Sequence, residues 1–419
     1  MAGEFSVRVL GKREYLSPLT GVKFEGEDAG VVFDAERPPM VPGDEVHVLE
    51  KAGAREALFF DPVSVKAGVV TCGGLCPGLN DVIRAITMVL WYRYGVQDVL
   101  GLRYGYEGLV SQGHQPIVLT PEVVADIHQD GGSILGTSRG PQDAGEMVDF
   151  LVREGINVLF AIGGDGTQRG ALAIADEVER RALSIAVVGV PKTIDNDISM
   201  TTRTFGFETA VSMSQAPIDA AHMEAKGVRN GVGLVKLMGR ESGFVAAHAS
   251  LASSNVNLVL VPEVPFRLDA VVDFLQRRLE RKSHAVIVVA EGAGQDLVVS
   301  EGVDKSGNRH LGDIGTFLRA QLSERMRAVG VEIGVKYIDP SYTIRSAPTT
   351  ADDSVFCFDV GRNAVHAAMA GRTAMVIGYW NGHYVHVPTH LAVKQRKKID
   401  PCGDLWQSVL DNTGQPGLE

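Results

Sequence analysis

The 419-residue chain contains little cysteine, and its four cysteines form no familiar metal or redox motif. Cys72, Cys76, Cys357 and Cys402 include no CxxC pair and no histidine partner at zinc spacing. We therefore expect reduced thiols in a cytoplasmic protein and no structural zinc site.

Other absences narrow the class of protein. No apolar run reaches 18 residues and the N-terminus lacks a signal-peptide core, so no membrane association is expected. The formal net charge of −11 argues against a nucleic-acid surface. The phosphate-binding pattern GxxxxGK[ST] is also absent, so a phosphate ligand would need a different glycine-rich loop.

What the chain does contain is a repeated pattern of apolar strand, glycine loop and helix. With 45% apolar and 22% charged residues over 419 positions, it is composed like a soluble enzyme with at least two α/β lobes. The repeat begins near Val65 with "VKAGVVTCGG" and continues through "HAVIVVAEGAG". This alternation predicts parallel sheets with helices on both faces, and ligands at the carboxyl ends of the strands. Residues 1–65, which include "RPPMVPGDEV", are expected to form an N-terminal extension with β character.

The stretch "AIGGDGTQRG" is the clearest phosphate-binding candidate. Gly163, Gly164 and Gly166 follow an apolar strand and precede a helical pattern. Missing side chains let an anion approach the backbone N–H groups at the helix start. Asp165 would repel that anion unless a cation lay between them, so it suggests a Mg²⁺ site. The loop "TCGGLCPG" could form a second anion site or a purely structural turn.

A second polar loop, "VPKTIDNDIS", directly follows another buried strand. Thr193, Asp195 and Asp197 are not needed by a hydrophobic core, although a surface turn could tolerate them. One aspartate could accept the proton of a hydroxyl nucleophile, and Lys192 could neutralise developing phosphoryl charge. Together with an aspartate-bound Mg²⁺, these groups are the components of a phosphoryl-transfer site.

Basic residues in three further loops fit an anionic substrate. An arginine in any one of them could be an ordinary solvated side chain, but arginines at several strand ends of an acidic protein indicate anion binding. The candidates in "GTSRGP", "KLMGRESG" and "VKYIDPSYTIRSAP" are Arg139, Arg240, Lys336, Tyr342 and Arg345.

These motifs, in this order, resemble the 6-phosphofructokinase family. "GGDGT", "PKTIDND", "MGRESG" and "DPSYTIRS" occur between about residues 65 and 415. The resemblance implies two Rossmann-like three-layer domains and transfer of the ATP γ-phosphoryl group to the 1-hydroxyl of fructose 6-phosphate. It also implies Mg²⁺ as cofactor, ATP as co-substrate and a homo-oligomer, either a dimer or a tetramer. The implied domains are 66–207 plus 344–395 for the donor, and 208–343 plus 396–419 for the sugar phosphate.

The resemblance also implies roles for individual residues. Asp195 is the expected base, supported by Thr193 and Asp197, while Asp165 holds Mg²⁺. Arg139 and Lys192 would stabilise the transferring phosphoryl group. The sugar-phosphate site would contain Met238, Gly239, Arg240, Glu291, Lys336, Tyr342 and Arg345, with Lys336 where the common bacterial pattern has arginine. The donor site would contain Gly73, Gly74, Tyr106, Gly164, Gly166, Thr167 and Gly170.

The phosphoryl donor remains open at the level of sequence. Pyrophosphate-dependent members usually have Asp at the position of Gly166 and Lys at that of Lys192, whereas common bacterial ATP enzymes have Gly at both. The combination found here is similar to the plant and kinetoplastid ATP-dependent enzymes, and pyrophosphate is the alternative. NAD or lipid kinases share "GGDGT" but lack the other motifs. An inactive regulatory subunit would be expected to lose Asp195 or Asp165, and both are present.

Overall fold

The structure is a computed structural model that describes residues 3–35, 46–110, 114–300, 302–303 and 310–418. The chain divides into two compact units. The first unit comprises Met1–Thr193, Ile198–Gly206 and Ser346–Gln395, and the second comprises Ile194–Asp197, Phe207–Arg345 and Arg396–Glu419. Within the predicted extension, residues 36–45 of the "RPPMVPGDEV" segment lie outside the described residues.

The strands and helices alternate along most of the chain. The strands are β1 (Arg8–Val9), β2 (Tyr15–Leu16), β3 (Gly30–Val32), β4 (Val48–Lys51), β5 (Ala57–Leu58), β6 (Lys66–Thr71), β7 (Asp98–Leu102), β8 (Ile117–Val118), β9 (Val158–Gly163), β10 (Ala186–Pro191), β11 (Gly231–Leu237), β12 (Leu258–Leu260), β13 (His284–Ala290), β14 (Gly334–Ile338), β15 (Arg372–Thr373), β16 (Met375–Trp380) and β17 (His383–Pro388). The α-helices are α1 (Leu79–Val89), α2 (Ala144–Glu154), α3 (Asp165–Arg180), α4 (Phe207–Met213), α5 (Gln215–Lys226), α6 (Phe244–Ser253), α7 (Leu268–Lys282), α8 (Ile314–Ala328), α9 (Ser341–Arg345), α10 (Ala351–Met369), α11 (Thr389–Ala392) and α12 (Asp404–Thr413). Short 3₁₀ or π turns occupy Pro62–Ser64, Leu90–Tyr94, Gly105–Leu109 and Ile127–Gln129.

The first unit is built on a nine-stranded sheet in the order β3-β4-β17-β16-β10-β9-β6-β7-β8. Its five central strands, β16 to β7 in that order, are parallel, and the flanking strands are antiparallel. Every residue of β9 and β10 is buried, as expected for parallel strands covered on both faces.

Helices cover both faces of this sheet. On one face, Leu159 and Ala161 of β9 belong to a core cluster with α2 and α3, which contribute Leu151 and Ile174. Helices α1 and α10 pack together, and α10 also contacts β10. A Cβ at Gly361 would lie 2.8 Å from Ala85 Cβ, so a glycine in α10 lets the two helices approach closely.

The first 65 residues add strands to this unit. Strands β3 and β4 extend the main sheet beyond β17, while β1 pairs with β15 and β2 with β5. The half-buried Glu50 of β4 accepts hydrogen bonds from Arg55 and Arg372 at 2.9 and 2.8 Å. The pKa of Glu50 is held far below its usual value, because Arg372 and His386 more than offset the effect of burial. The described part of this segment thus contains strands β1 to β5, and an ion-pair cluster anchors it to the sheet.

The second unit contains a four-stranded, fully parallel sheet in the order β12-β13-β11-β14. One face packs on α7 and α8, where the fully buried Leu275 and Leu318 belong to a core cluster. Helix α5 packs on β11 and β13, and a Cβ at Gly233 would lie 2.7 Å from Ala221 O. Two parallel-rich α/β units confirm the predicted fold class. Across the described ranges, no helix is long and apolar enough to cross a membrane.

Candidate active site

The turn between β9 and α3 provides backbone donors for an anion. Gly163 ends the strand, and a Cβ there would lie only 2.1 Å from Thr167 Oγ1. Gly164 occupies the N-cap and Asp165 is the first residue of the helix. A glycine cap supplies no side-chain acceptor to the first turn, so these N–H groups face outward at the positive end of the helix dipole. This is the geometry that phosphate groups use.

Gly166 and Gly170 of this helix differ in whether the fold requires a glycine. A Cβ at Gly166 would meet no described atom within 4 Å, so the fold itself does not require glycine there. A Cβ at Gly170 would lie 2.5 Å from Tyr106 Cε2, so packing requires glycine at that position. The hydroxyl of Tyr106 donates a 2.7 Å hydrogen bond to Thr167 O. Tyr106 thus packs against Gly170 and hydrogen-bonds to the first turn of α3, whereas the space next to Gly166 is open.

Other residues predicted to bind the phosphoryl donor or the transferring phosphoryl group lie at the ends of β6, β9 and β10. Lys192 directly follows β10, and its Nζ donates a 2.6 Å hydrogen bond to Gly74 O. A Cβ at Gly74 would lie 3.2 Å from an Arg139 guanidinium nitrogen. The N–H of Gly73 donates to Ser138 O at 3.0 Å, which ties the first glycine loop to the Arg139 loop. The first unit therefore brings Gly73, Gly74, Arg139 and Lys192 together.

Asp165 is a suitable ligand for a donor-bound Mg²⁺. Its side chain is 25% exposed, and Arg169 Nε lies 3.1 Å from its Oδ2. Within the described part of the chain, no group of three or more His, Cys, Asp or Glu side chains could hold a metal by itself. Because Mg²⁺ commonly uses one or two carboxylates together with substrate phosphates, a single carboxylate beside a phosphate-binding turn fits this ion.

In the second unit, Asp195 has the properties of a general base. The backbone N–H of Arg240 donates to its Oδ2 at 3.4 Å. Burial and the negative charges of Asp197 and Glu291 raise the pKa of Asp195 to about 7, and Arg345 only partly opposes them. A carboxylate with a pKa near the working pH can both accept a proton and release it.

The "MGRESG" loop that contacts Asp195 is held rigidly. Met238 is fully buried, and Gly239 has a φ of +126° with a hypothetical Cβ 2.5 Å from Ser242 O. At the start of α6, the N–H of Gly243 donates to both carboxylate oxygens of Glu263, at 3.0 and 3.1 Å. Glu263 also accepts a hydrogen bond from the Ile399 N–H at 2.9 Å. One carboxylate thus joins this loop to the C-terminal segment.

Arg345 lies at the end of the short helix α9, and its guanidinium is 3.7 Å from Glu291 Oε1. The start of α9 is fixed by Asp339, which accepts hydrogen bonds from the N–H and hydroxyl of Ser341. Asp339 is held in turn by Lys236 Nζ at 2.9 Å. Tyr342 of the same helix is 85% exposed. The structure brings Asp195, Glu291 and Arg345 together.

Basic residues of the C-terminal segment surround Asp197. Arg396 forms a 3.1 Å ion pair with Asp197 Oδ2, and the Lys397 N–H donates to Asp197 O at 2.8 Å. Burial lowers the pKa of Lys397 to about 8, although Asp197 opposes the shift. Thr193 belongs to the first unit, where its carbonyl accepts a 2.7 Å hydrogen bond from the Thr204 hydroxyl.

Lys336 has a different setting from the other predicted sugar-phosphate residues. It lies within β14, and its ammonium is 3.7 Å from Glu224 Oε2 of α5. This ion pair places the side chain on the α5 side of the sheet. No contact in the described residues joins Lys336 to Arg345 or Glu291.

Sequence reasoning missed several positioning residues. Buried Gln168 donates to Gly163 O at 2.9 Å and to Val190 O at 3.2 Å, which joins α3 to the ends of β9 and β10. Its position directly after "GGDGT" was an available signal. Lys236, Glu263 and Arg396 carried no local signal, because their partners are distant in sequence.

Comparison with known proteins agrees with these features. The family model described as Phosphofructokinase matches residues 66–368. A relative from Borreliella burgdorferi named "ATP-dependent 6-phosphofructokinase" is 50% identical over 381 residues, covering 88% of this chain and 85% of its own. A kinetoplastid relative with the same name, from Trypanosoma brucei brucei, is 49% identical over 375 residues and covers 88% of this chain and 77% of its own.

The fold comparison is consistent with the sequence comparison. A solved structure, the pyrophosphate-dependent phosphofructokinase from Marinobacter aquaeolei, matches with a TM-score of 0.69. The match covers 85% of this chain and 93% of that one at 20% identity, so it establishes similarity of fold and not of donor. The family model and the 50% identity to a relative matched over 85% of its length confirm the resemblance, and this chain belongs to the phosphofructokinase family.

Proposed function

We propose that this protein is an ATP-dependent 6-phosphofructokinase. It transfers the γ-phosphoryl group of ATP to the 1-hydroxyl of fructose 6-phosphate, giving fructose 1,6-bisphosphate and ADP. The names of relatives at 49–50% identity support ATP as the donor. The single observation that carries the chemistry is the setting of Asp195 in the "PKTIDND" loop, where its Oδ2 accepts the Arg240 N–H at 3.4 Å and where burial, Asp197 and Glu291 raise its pKa.

In this proposal Asp195 accepts the proton of the sugar 1-hydroxyl as its oxygen attacks the γ-phosphorus. The bond from the γ-phosphorus to the bridging oxygen breaks, and ADP leaves. Asp197 and Glu291 favour proton uptake because their negative charges raise the pKa of Asp195. Arg396 in turn fixes the Asp197 carboxylate.

The donor is assigned to the turn at the start of α3. The backbone N–H groups of Gly164 to Thr167 face the phosphates, and the open space at Gly166 leaves room for a nucleotide chain. Lys192 and Arg139 supply positive charge for the transferring phosphoryl group. Gly73 and Gly74 belong to the same site, whereas Tyr106 and Gly170 act on it through packing.

Asp165, together with donor phosphates, would hold Mg²⁺, which would neutralise phosphate charge in the bound donor.

The sugar phosphate is assigned to loops of the second unit. Arg345 and Tyr342 of α9 would bind the 6-phosphate, and Glu291 would accept hydrogen bonds from sugar hydroxyls. The remaining assigned contacts are Met238, Gly239, Arg240 and Lys336. For Lys336 this role requires release from Glu224.

The proposal also includes assembly as a dimer or tetramer and a cytoplasmic location. The location is supported by the free thiols of Cys72, Cys357 and Cys402. Sedimentation equilibrium of the purified chain tests the assembly.

A coupled assay of fructose 1,6-bisphosphate formation tests the function. Wild-type protein and Asp195→Asn are each assayed with ATP and with pyrophosphate at saturating Mg²⁺. We expect turnover with ATP, little with pyrophosphate, and a large loss in the variant. A preference for pyrophosphate would overturn the donor assignment, and no product with either donor would overturn the activity.

A further inference from the structure

The first unit contains a cavity of about 600 Å³ that none of the proposed catalytic or substrate-binding residues line. Its walls come from residues 19–25 and 51–54, the end of α1, helix α10 and the turn of the β16–β17 hairpin. The N-terminal segment therefore does more than extend a sheet, because it closes one side of this cavity. The volume lies within the range of small-molecule sites.

The cavity is strongly basic within an acidic protein. Lys23, Lys51, Arg93 and Arg362 line it together with one carboxylate, Glu25, and with the Asp359 partner of Arg362 counted this leaves an excess of two positive charges. Lys51 is paired with Glu25 at 2.9 Å, and Arg362 with Asp359 at 2.9 Å. Within the described ranges, Lys23 and Arg93 form no ion pair. Unbalanced charge in a concave site attracts anions.

The positive charges of the cavity also act on a buried histidine. His366 lines the cavity, is 8% exposed, and its Nδ1 lies 2.7 Å from the Tyr94 hydroxyl. Burial, together with the positive charges of Arg362 and Arg93, lowers the pKa of His366 to about 3. The histidine therefore stays neutral at physiological pH and can serve as a hydrogen-bond donor or acceptor without adding charge.

The rest of the lining is apolar or aromatic. Leu19, Val22 and Val89 contribute aliphatic surface, and Phe358, which is 40% exposed, contributes a ring. A bare inorganic anion would leave this surface in water. A ligand that contacts both the basic and the apolar parts of the lining needs an anionic group and a compact apolar or aromatic body.

We infer that this cavity binds a small organic phosphate, with its phosphate at Lys23 and Arg93 and its apolar part against Phe358 and the aliphatic wall. Arg93 can hold two phosphate oxygens through its planar fork, whereas Lys23 acts as a point charge. The site involves different residues from those of phosphoryl transfer, so its occupancy is measured independently of activity.

Lysine acetylation footprinting provides a local test on the full-length protein. The protein is treated with limiting acetic anhydride, with and without phenyl phosphate, and modification of Lys23 and Lys51 is read by mass spectrometry. Lys12, whose side chain is 86% exposed outside the cavity, is the internal control. At a ligand concentration about ten times the Kd, the modification rate of Lys23 is expected to fall about tenfold, while Lys12 is unchanged. Inorganic phosphate and phenol at the same concentration test the two halves of the ligand.

The matched variants are Arg93→Gln and Arg153→Gln, both in the first unit, and their melting temperatures check folding. Arg93→Gln is expected to weaken phenyl phosphate binding about tenfold or more, whereas Arg153→Gln leaves it unchanged. If Arg93→Gln fails to fold, Lys23→Gln is read through protection of Lys51. Lack of protection by phenyl phosphate, equal protection of Lys12, or full protection in the Arg93 variant would each overturn the site. Equal protection by inorganic phosphate would overturn the organic ligand.

Discussion

Gly166→Asp provides the sharpest test of the donor site. A Cβ at Gly166 would meet no described atom within 4 Å, so the protein has space for the side chain. The position lies in the first turn of α3, where a carboxylate interacts favourably with the helix dipole. Folding stability should therefore be unchanged or slightly higher. Any loss of ATP-dependent activity would therefore have to come from weaker interaction with the nucleotide and not from loss of folding stability.

The size of that loss follows from the charges. Two unit charges about 4 Å apart repel by roughly 4 kcal/mol at an effective dielectric of about 20. Even half of this value, after screening by solvent and Mg²⁺, weakens nucleotide binding more than about tenfold. In the proposed donor site, the neighbouring Asp165 would already place one carboxylate beside the donor phosphates, so a second one would oppose binding further. Pyrophosphate has no α-phosphate ester or nucleoside, so the variant should retain some use of it through Lys192.

The assay compares wild type, Gly166→Asp, Gly166→Asn and Gly166→Ala with each donor at saturating Mg²⁺, and thermal unfolding is measured in parallel. Asparagine has nearly the size of aspartate without its charge, and alanine adds only the Cβ. We expect ATP-dependent activity to be abolished in the aspartate variant, reduced in the asparagine variant and largely kept in the alanine variant. An aspartate variant with unchanged KM and kcat for ATP would refute the role of Gly166. Equal losses with aspartate and asparagine would refute the electrostatic part.

The remaining predictions concern Asp195, Arg240 and Gly170. Asp195→Asn should lower kcat at least about 10²-fold with little change in fructose 6-phosphate binding, because the general base is lost, and a near-normal kcat would remove Asp195 from the mechanism. In the wild type, kcat/KM for fructose 6-phosphate should fall about tenfold per pH unit below a pKa of about 7, because kcat/KM reports the ionisation of the free enzyme. Asp195→Asn should raise Tm more at pH 8 than at pH 5, because a folded-state pKa raised from 3.8 makes ionisation costly as pH rises, and an equal Tm gain at both pH values would contradict this. Arg240→Ala should mainly raise the KM for fructose 6-phosphate, and a rise in the KM for ATP alone would show that the loop is misassigned. Gly170→Ala should cost about 1–3 kcal/mol of unfolding free energy, since the new Cβ would lie 2.5 Å from Tyr106, whereas an unchanged Tm would show that the ring moves freely.

The sequence predicted the α/β class and the phosphofructokinase resemblance, and both are confirmed. Local patterns were sufficient because strands such as β9 are continuous apolar runs, and because the turns after them are rich in glycine. Site roles such as those of Asp195 and Arg345 stay predictions. The structure adds that Asp195 has a raised pKa and that Arg345 lies 3.7 Å from Glu291.

Other features could not be predicted because they depend on residues far apart in the chain. Glu263 holds both Gly243 and Ile399, and Lys236 fixes the start of α9 through Asp339. Lys336 looked like an anion-binding residue, but its nearest charged partner is Glu224. None of these partnerships leaves a spacing signal, since each requires the sheet register and helix packing to be known first.

The glycines of α3 show where local sequence information ends. The sequence by itself determined that a strand, a glycine-rich turn and a helix follow one another, because backbone conformation and hydrophobic periodicity are local properties. It could not distinguish Gly170, which is required by the Tyr106 ring, from Gly166, which faces open space. Only the tertiary structure decided this, because the atoms that exclude a side chain come from a segment more than sixty positions away in the chain. The same reason applies to the N-terminal segment, which has weak β character in sequence but forms sheet strands and a cavity wall once packed on the first unit.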